Sequence, residues 1–307
     1  MSASPPLTLT PSQLAHYHEK GYLILRLSEH NLVTPSDLHT WETDVRTWPR
    51  QKGKWMPYDE INAQGERQLM RTENFVDYHP GWHSLVCGSA LRGVLSQLAG
   101  DDVLLFKDKI NYKLPFGNGF QAHLDAPAYD HIGRIEHITA NIAIDPATPE
   151  NGCLEVVAGS HKMTDVELQE GKGGHISEDW ERRHEWTPVP LESGDVLIFG
   201  SRLAHRSGDN KTDMKRASLY ATYHLRSDGE DLRERYYAHR RRNFPPDHGE
   251  FHVCVYVSLR EHAGVWMLMD PVEREPGETY EEGWKTYGFA APFSKPDAAP
   301  VAAPAQS

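Results

Sequence analysis

Two residues with metal-binding side chains, His123 and Asp125, are separated by one residue at the end of a β-rich run. Residues two apart in a strand point to the same face, so both side chains can bind one ion. Residues 194–210 contain a Gly-Asp turn, a strand-like run and a loop before His205, which offers a third ligand from a distant strand. Two imidazoles and one carboxylate leave three positions open on octahedral iron(II), as oxygen activation requires. Zinc prefers four tetrahedral ligands, and a zinc hydrolase is the alternative that this set leaves open.

Arg216 follows His205 by eleven residues and begins another strand-like run. Same-face spacing lets Arg216 and Ser218 point together into a barrel. A guanidinium is always charged, and its burial is costly unless an anion binds to it. We predict that this anion is the C5 carboxylate of 2-oxoglutarate, whose C1 carboxylate and keto oxygen chelate the iron. A surface ion pair of Arg216 with Asp209 or Asp213 is the alternative.

Helix signals precede the predicted metal site, and strand-like runs surround it. Thr10 and Thr34 are each followed by proline, which is typical of a helix start, and a third helical pattern ends at Gly100. Short β-rich runs are found at 22–25, 102–106, 109–114, 139–144, 153–157, 195–199, 217–225 and 252–259. Helices first and strands later predict a mainly β fold, a β-sandwich or barrel with flanking helices packed outside it.

Composition narrows the classes of partner. The net charge of −12 at pH 7 disfavours nucleic acid and anionic membranes, and no apolar run is long enough to cross a bilayer. The three cysteines are far apart, which argues against a disulfide framework or a thiolate zinc site. The first residues contain no basic region followed by an apolar run. We therefore predict a cytoplasmic protein with a small-molecule substrate, and its oligomeric state is unknown.

The domain organisation is predicted from the absence of repeats and linkers. One oxygenase domain is expected over residues 1–288, with N-terminal helices at about 10–100 and a β-core at about 101–260. Residues 289–307 are rich in Ala and Pro and predict a disordered tail.

These segments together resemble the phytanoyl-CoA dioxygenase family of iron(II)- and 2-oxoglutarate-dependent oxygenases. The resemblance covers residues 14–223 and includes His123-x-Asp125, the Asn-Gly-Cys-Leu to Gly-Ser-His segment at 150–161, Gly-Asp-Val before His205, and Arg216. It implies a double-stranded β-helix core of the jelly-roll or cupin-like type. It further implies iron(II), 2-oxoglutarate and O2, with ascorbate as the reductant in vitro. It also implies hydroxylation of an unactivated C–H bond with release of succinate and CO2. Related halogenases have a small residue in place of the ligand carboxylate, so Asp125 favours hydroxylation over halogenation.

The resemblance also assigns cosubstrate contacts by position. Arg71 matches a basic residue of the cosubstrate pocket, Asn141 matches another contact, and Leu105 is expected in the pocket wall. Segment 150–161 is expected to be structural, so His161 is not a predicted ligand. The remaining histidines near the β-region are expected to lie at the surface or next to the metal ligands, and not to bind the metal themselves: His131, His137, His175, His184 and His224.

Residues 106–113 and 236–247 resemble enzymes that hydroxylate small aminoalkylphosphonates and related amines more than enzymes that act on acyl-CoA. We therefore predict a small polar metabolite that carries an amine or phosphonate group, with Lys109, Asn111 and Tyr129 as candidate contacts. An arginine cluster near the second segment is expected to belong mostly to a solvated helix: Arg233, Arg235, Arg240, Arg241 and Arg242.

Two alternatives for function remain open at this point. The same chemistry, as hydroxylation, desaturation or cyclisation, can act on a natural product of specialised metabolism, because the iron ligands do not distinguish these outcomes. In a different class, a barrel of this shape can be a non-catalytic module that binds a metal or a ligand.

Overall fold

The computed structural model describes residues 7–133, 135–170 and 173–246, together with the backbone of 258–262 and 265–269. The predicted tail and most of the predicted strand at 252–259 lie outside the described residues, and the single domain over 1–288 stays a prediction. The helices are α1 Pro11–Lys20, α2 Leu27–His30, α3 Pro35–Thr47, α4 Pro80–Val86, α5 Ser89–Ala99, α6 Glu178–Arg183 and α7 Leu232–Asn243.

The described strands form two antiparallel sheets. The strands are β1 Tyr22–Leu25, β2 Met56–Ile61, β3 Arg67–Glu73, β4 Val103–Asn111, β5 Phe120–His123, β6 His137–Ala143, β7 Leu154–Val156, β8 Thr187–Val189, β9 Val196–Gly200, β10 His205–Ser207, β11 Ser218–Leu225, β12 Ser258–His262 and β13 Val265–Met269. The nine-stranded sheet has the order β1-β9-β6-β11-β4-β3-β2-β13-β12, and the four-stranded sheet has the order β5-β10-β7-β8. This architecture confirms the predicted mainly β fold with flanking helices and a jelly-roll core.

The predicted helix signals are confirmed. Thr10 caps α1 by accepting a hydrogen bond from the Gln13 amide, and the Gln13 side chain accepts one from the Thr10 amide. Thr34 caps α3 in the same way through the Asp37 amide, and α5 ends at Gly100 in the left-handed conformation. None of the helices in the described ranges is long and apolar enough to cross a membrane.

Two strand predictions were wrong. The runs at 102–106 and 109–114 are not two strands: both overlap the single strand β4, which ends at Asn111 and whose register with β11 shifts between Thr222 and Tyr223. Strands β2 and β3 lie in the region that was expected to be helical. Their buried positions include charged residues such as Asp59 and Glu73, so the apolar alternation that indicates a strand is missing there.

The two faces of the large sheet differ in character. Leu219 and Ile110 belong to the apolar cluster that includes residues of α4 and α5. On the other face, Tyr220 and Leu197 pack with Val156 and other residues of the small sheet. This inner face, which lies between the sheets, carries the polar residues of the predicted site.

Candidate metal and cosubstrate site

The structure brings His123, Asp125 and His205 together between the ends of two paired strands. His123 ends β5 and is paired with His205, the first residue of β10. One ligand atom from each of the three side chains lies within 4.8 Å of the others, and among the described residues no other such group of His, Cys, Asp or Glu occurs. The strand ends before Asp125, which has helical dihedral angles and leads into the 3-10 turn Ala126–Tyr129. The turn, rather than strand alternation, therefore orients this carboxylate.

Hydrogen bonds orient both imidazole rings. Nδ1 of His123 lies 2.7 Å from the Gln121 carbonyl, and Nδ1 of His205 lies 2.9 Å from the Leu203 carbonyl. Because a carbonyl only accepts, each Nδ1–H must be the donor, and each Nε2 keeps a lone pair for a metal. Nε2 of His123 lies 3.9 Å from Asp125 Oδ1, and these side chains keep 17% and 15% exposure, which leaves an approach for a ligand.

The electrostatics of the three side chains suit a cation. Burial and the neighbouring His205 lower the pKa of His123 to about 3, and burial lowers the pKa of His205. Burial alone raises the pKa of Asp125, but His205 and Lys107 hold that pKa below its ordinary value. Neutral imidazoles and an ionised carboxylate are the forms that bind metals, so the donor set fits iron(II).

Arg216 is buried, with 2% exposure, and contacts no carboxylate among the described residues. Its Nη1 lies 3.3 Å from Ser218 Oγ, its Nη2 donates to the Gly152 carbonyl, and its Nε has no hydrogen-bond partner in the described ranges. The alternative of a surface ion pair with Asp209 or Asp213 is therefore wrong. A buried guanidinium without a counter-charge is costly, and an anionic ligand would offset this cost.

Three other inner-face residues, Asn111, Arg71 and Asn141, are placed near Arg216 by the strand pairings around β11. Ser218 is paired with Asn111, and Asn111 is paired with Arg71. Asn141 is paired with Tyr220. Asn111 Oδ1 and Asn141 Nδ2 are buried and have no hydrogen-bond partner among the described residues, so each can bind a ligand atom.

Arg71 and Leu105 have different placements. Arg71 is buried on the inner face, with its Nε 3.2 Å from Glu73 Oε1. Leu105 is paired with Tyr223 and belongs to the apolar cluster beside the helices, on the outer face of the sheet. Because the register of β4 shifts here, the side chains of Leu105 and Lys107 lie on opposite faces of the sheet although the residues are two apart. The expected role of Leu105 in the pocket wall is corrected by this placement.

Two lysines on β4 lie beside the metal-binding group. Lys107 Nζ is hydrogen-bonded to the hydroxyl of Tyr129, and Lys109 Nζ lies 5.0 Å from the centre of the Tyr220 ring. Burial lowers the pKa of Lys107 to about 8. Burial and, as the second cause, the charge of Lys107 lower the pKa of Lys109 well below its ordinary value. Neither lysine forms an ion pair with a carboxylate in the described part of the chain. Sequence reasoning did not select Lys107.

Helix α7 is confirmed, but two of its arginines are not solvated as expected. Arg240 has 2% exposure and donates to both oxygens of Glu73, at 2.9 and 3.1 Å. Arg233 lies 2.7 Å from the buried Asp108. Both partners lie far away in sequence, so local charge patterning could not reveal them.

Comparisons with known proteins identify the family of this chain. The sequence model of the phytanoyl-CoA dioxygenase family matches residues 17–218. The dioxygenase lolE1 of Epichloe uncinata is 38% identical over 80% of this chain and 94% of its own length. A methylphosphonate hydroxylase of Gimesia maris is 40% identical, covering 77% of this chain and 88% of its own. A 2-aminoethylphosphonate dioxygenase of an uncultured bacterium is 36% identical, covering 75% and 84%.

A solved structure supports the fold independently. EctD from S. alaskensis, crystallised with 2-oxoglutarate and 5-hydroxyectoine, superposes with a TM-score of 0.59 at 21% identity, over 71% of this chain and 77% of that chain. The family match extends over more than half of the chain and the three relatives exceed 30% identity, which confirms the resemblance and the predicted enzyme class. The chain therefore belongs to the phytanoyl-CoA dioxygenase family of iron(II)- and 2-oxoglutarate-dependent dioxygenases.

Proposed function

We propose that this enzyme hydroxylates a C–H bond of a small phosphonate. The observation that carries the proposal is the position of Lys107 and Lys109, two lysines without a carboxylate ion pair in the described ranges that lie close enough to Asp125 to lower its pKa. Both lysines act electrostatically on Asp125. A phosphonate anion bound by these lysines would place its neighbouring carbon close to the metal.

The metal ligands in this proposal are His123, Asp125 and His205. Iron(II) bound there supplies the activation of O2, coupled to oxidative decarboxylation of 2-oxoglutarate to succinate and CO2. The chain's own residues orient the ligands: the Gln121 and Leu203 carbonyls fix which ring nitrogen faces the ion.

Arg216 is the proposed anchor for the C5 carboxylate of 2-oxoglutarate. Its buried guanidinium has an unpartnered Nε and no carboxylate neighbour among the described residues. Ser218, the first residue of β11, accepts a hydrogen bond from the guanidinium, and Asn141 has an amide nitrogen without a hydrogen-bond partner among the described residues. Arg71 is the weaker candidate, since Glu73 already contacts its guanidinium.

The proposed substrate contacts are Lys107, Lys109, Asn111 and Tyr129. A phosphonate carries one or two negative charges, so its binding would favour the protonated form of both lysines, and its three oxygens accept hydrogen bonds from amine and hydroxyl donors. Two of the relatives that resemble this chain are named for phosphonate substrates, methylphosphonate and 2-aminoethylphosphonate. This supports a phosphonate over an amine without an acidic group.

The cellular location and the domain extent are also proposals. Cys87 and Cys153 are free cysteines, which suits the reducing cytoplasm. We propose that the enzyme acts there and that its single domain extends through residue 288.

Substrate-dependent formation of succinate tests the proposed function. The iron-loaded enzyme with 2-oxoglutarate, ascorbate and O2 is offered methylphosphonate, 2-aminoethylphosphonate, the matching carboxylates, quaternary amines and acyl-CoA thioesters. We expect turnover with phosphonates and at least a tenfold preference over the matching carboxylates, because a site that pairs buried charges discriminates against weaker partners. Turnover only with thioesters, or only with a large apolar natural product, contradicts the proposed substrate and leaves the iron chemistry in place.

A further inference from the structure

Lys113, which follows β4, occupies an unusual backbone and side-chain position. Its φ of 37° lies in the left-handed region, which residues other than glycine rarely adopt. The side chain is buried, and its Nζ contacts the Ser207 Oγ at 2.9 Å, the Gly152 carbonyl at 3.2 Å and the Gly208 carbonyl. These three neighbours come from two separate segments, so Lys113 holds them together.

The same lysine contacts Arg216 by two routes. Its carbonyl accepts a hydrogen bond from the Arg216 amide at 3.1 Å. Its side-chain amine and the Arg216 guanidinium both donate to the Gly152 carbonyl. Lys113 therefore restrains both the backbone and the head group of Arg216.

The geometry at Gly152 explains why a glycine is needed there. Its φ is 76°, and a Cβ at this position would lie 2.2 Å from the Gly208 carbonyl oxygen and 2.8 Å from Lys113 Nζ. A larger residue would displace the carbonyl that Lys113 and Arg216 share. This glycine belongs to the Asn-Gly-Cys-Leu segment that the sequence identified as structural.

Lys113 also connects the arginine to the metal-binding strand. Its contact Ser207 ends β10, and His205 begins the same three-residue strand. No carboxylate pairs with Lys113 in the described part of the chain, so its role is not explained by charge neutralisation.

We propose that Lys113 is a positioning residue that holds the Arg216 guanidinium and the end of β10 in the arrangement that binds the cosubstrate carboxylate. This inference rests on the proposed role of Arg216. Lys113 itself contacts none of the proposed metal ligands, and it is not among the proposed substrate contacts.

The Lys113→Met variant tests the proposal by equilibrium binding. Iron-loaded protein is titrated with 2-oxoglutarate under anaerobic conditions in a calorimeter, and thermal unfolding and iron content are measured alongside. We expect affinity for 2-oxoglutarate to fall by roughly tenfold, with iron content unchanged and KM for the phosphonate altered by less than about twofold. Lys211→Met, at an exposed lysine near the same loop, is the matched control and should bind normally.

A double-mutant cycle separates positioning from a general loss of structure. If Lys113 acts through Arg216, adding Lys113→Met to Arg216→Ala should weaken 2-oxoglutarate binding by less than about twofold more. Additive losses, or equal losses for 2-oxoglutarate and phosphonate, overturn the inference. Normal binding by Arg216→Ala overturns the proposed anchor itself, which is a separate result. If Lys113→Met does not fold, Lys113→Gln is titrated instead, and unchanged affinity there overturns the proposal.

Discussion

Strand β11 carries two kinds of buried residue on its two faces. Leu219 and Tyr223 belong to the apolar cluster beside the helices, whereas Ser218 and Tyr220 face the small sheet in register with Asn111 and other polar residues. Apolar burial on the outer face stabilises the fold, while polar groups on the inner face cost stability unless they have partners. Stability and ligand binding therefore depend on alternate residues of one strand, so mutations on the two faces should have separable effects.

The largest effect is expected on the inner face at the metal group. Asp125→Ala removes the proposed carboxylate ligand, and we expect bound iron to be lost. Turnover should fall by more than roughly 100-fold, which exceeds the loss of activity typical when a residue that only supports a metal ligand is changed. Iron content after anaerobic loading and succinate formation measure this. Asp213→Ala, at an exposed carboxylate, is the control and should retain both. Unchanged iron content in Asp125→Ala contradicts the ligand assignment.

The next effect concerns the cosubstrate anchor. Removing one partner of a buried, hydrogen-bonded charge pair costs about 2 to 5 kcal/mol, so Arg216→Ala should weaken 2-oxoglutarate binding accordingly while iron stays bound. Arg182→Ala, at an arginine with 65% exposure, should bind 2-oxoglutarate like the parent. If Arg216→Ala also does, the anchor lies elsewhere.

The outer face should respond in the opposite way. Leu219→Ala removes a fully buried apolar side chain and should lower the free energy of unfolding by about 2 to 5 kcal/mol. Urea unfolding measures this, and the 2-oxoglutarate affinity of the folded variant should match that of the parent. A loss of 2-oxoglutarate affinity without a loss of stability would contradict the assignment of ligand binding to the inner face and of stability to the outer face.

The smallest effect is a pH dependence on the inner face. Burial alone raises the pKa of Glu73, but Arg240 and Arg71 lower it to about 2 from the ordinary 4.5. The unfolded state therefore binds more protons as the pH falls, and about 2 kcal/mol of stability is lost between pH 5 and pH 3. Glu73→Gln should lack this part of the acid loss in urea unfolding. Parallel pH curves for the parent and the variant contradict it.

The sequence could predict those parts of the site that depend on local spacing. His123 and Asp125 are separated by one residue, and a single short stretch contains both His205, the proposed third ligand, and Arg216, the proposed anchor. The helix starts were also predictable, because Thr10 makes its cap within the next three residues. Each of these features can be recognised within a short stretch of sequence, although the pairing of His205 with His123 joins two distant strands.

The rest depended on contacts between distant segments. Arg240 is paired with Glu73, 167 residues away, so nothing near Arg240 in the sequence indicated burial. Leu105 changed faces because the register of β4 shifts beside it. Lys113 meets Ser207 and Gly208 across 94 and 95 residues, and its left-handed backbone has no signal in a lysine.

The central claim is that the enzyme inserts one oxygen atom of O2 into a phosphonate while 2-oxoglutarate is decarboxylated. Turnover of the preferred phosphonate under oxygen-18 gas, followed by mass spectrometry of both products, tests it most directly. We expect one labelled oxygen in the hydroxylated phosphonate and one in succinate. Labelled succinate with an unchanged phosphonate, or a phosphonate product whose new oxygen comes from water, would contradict it.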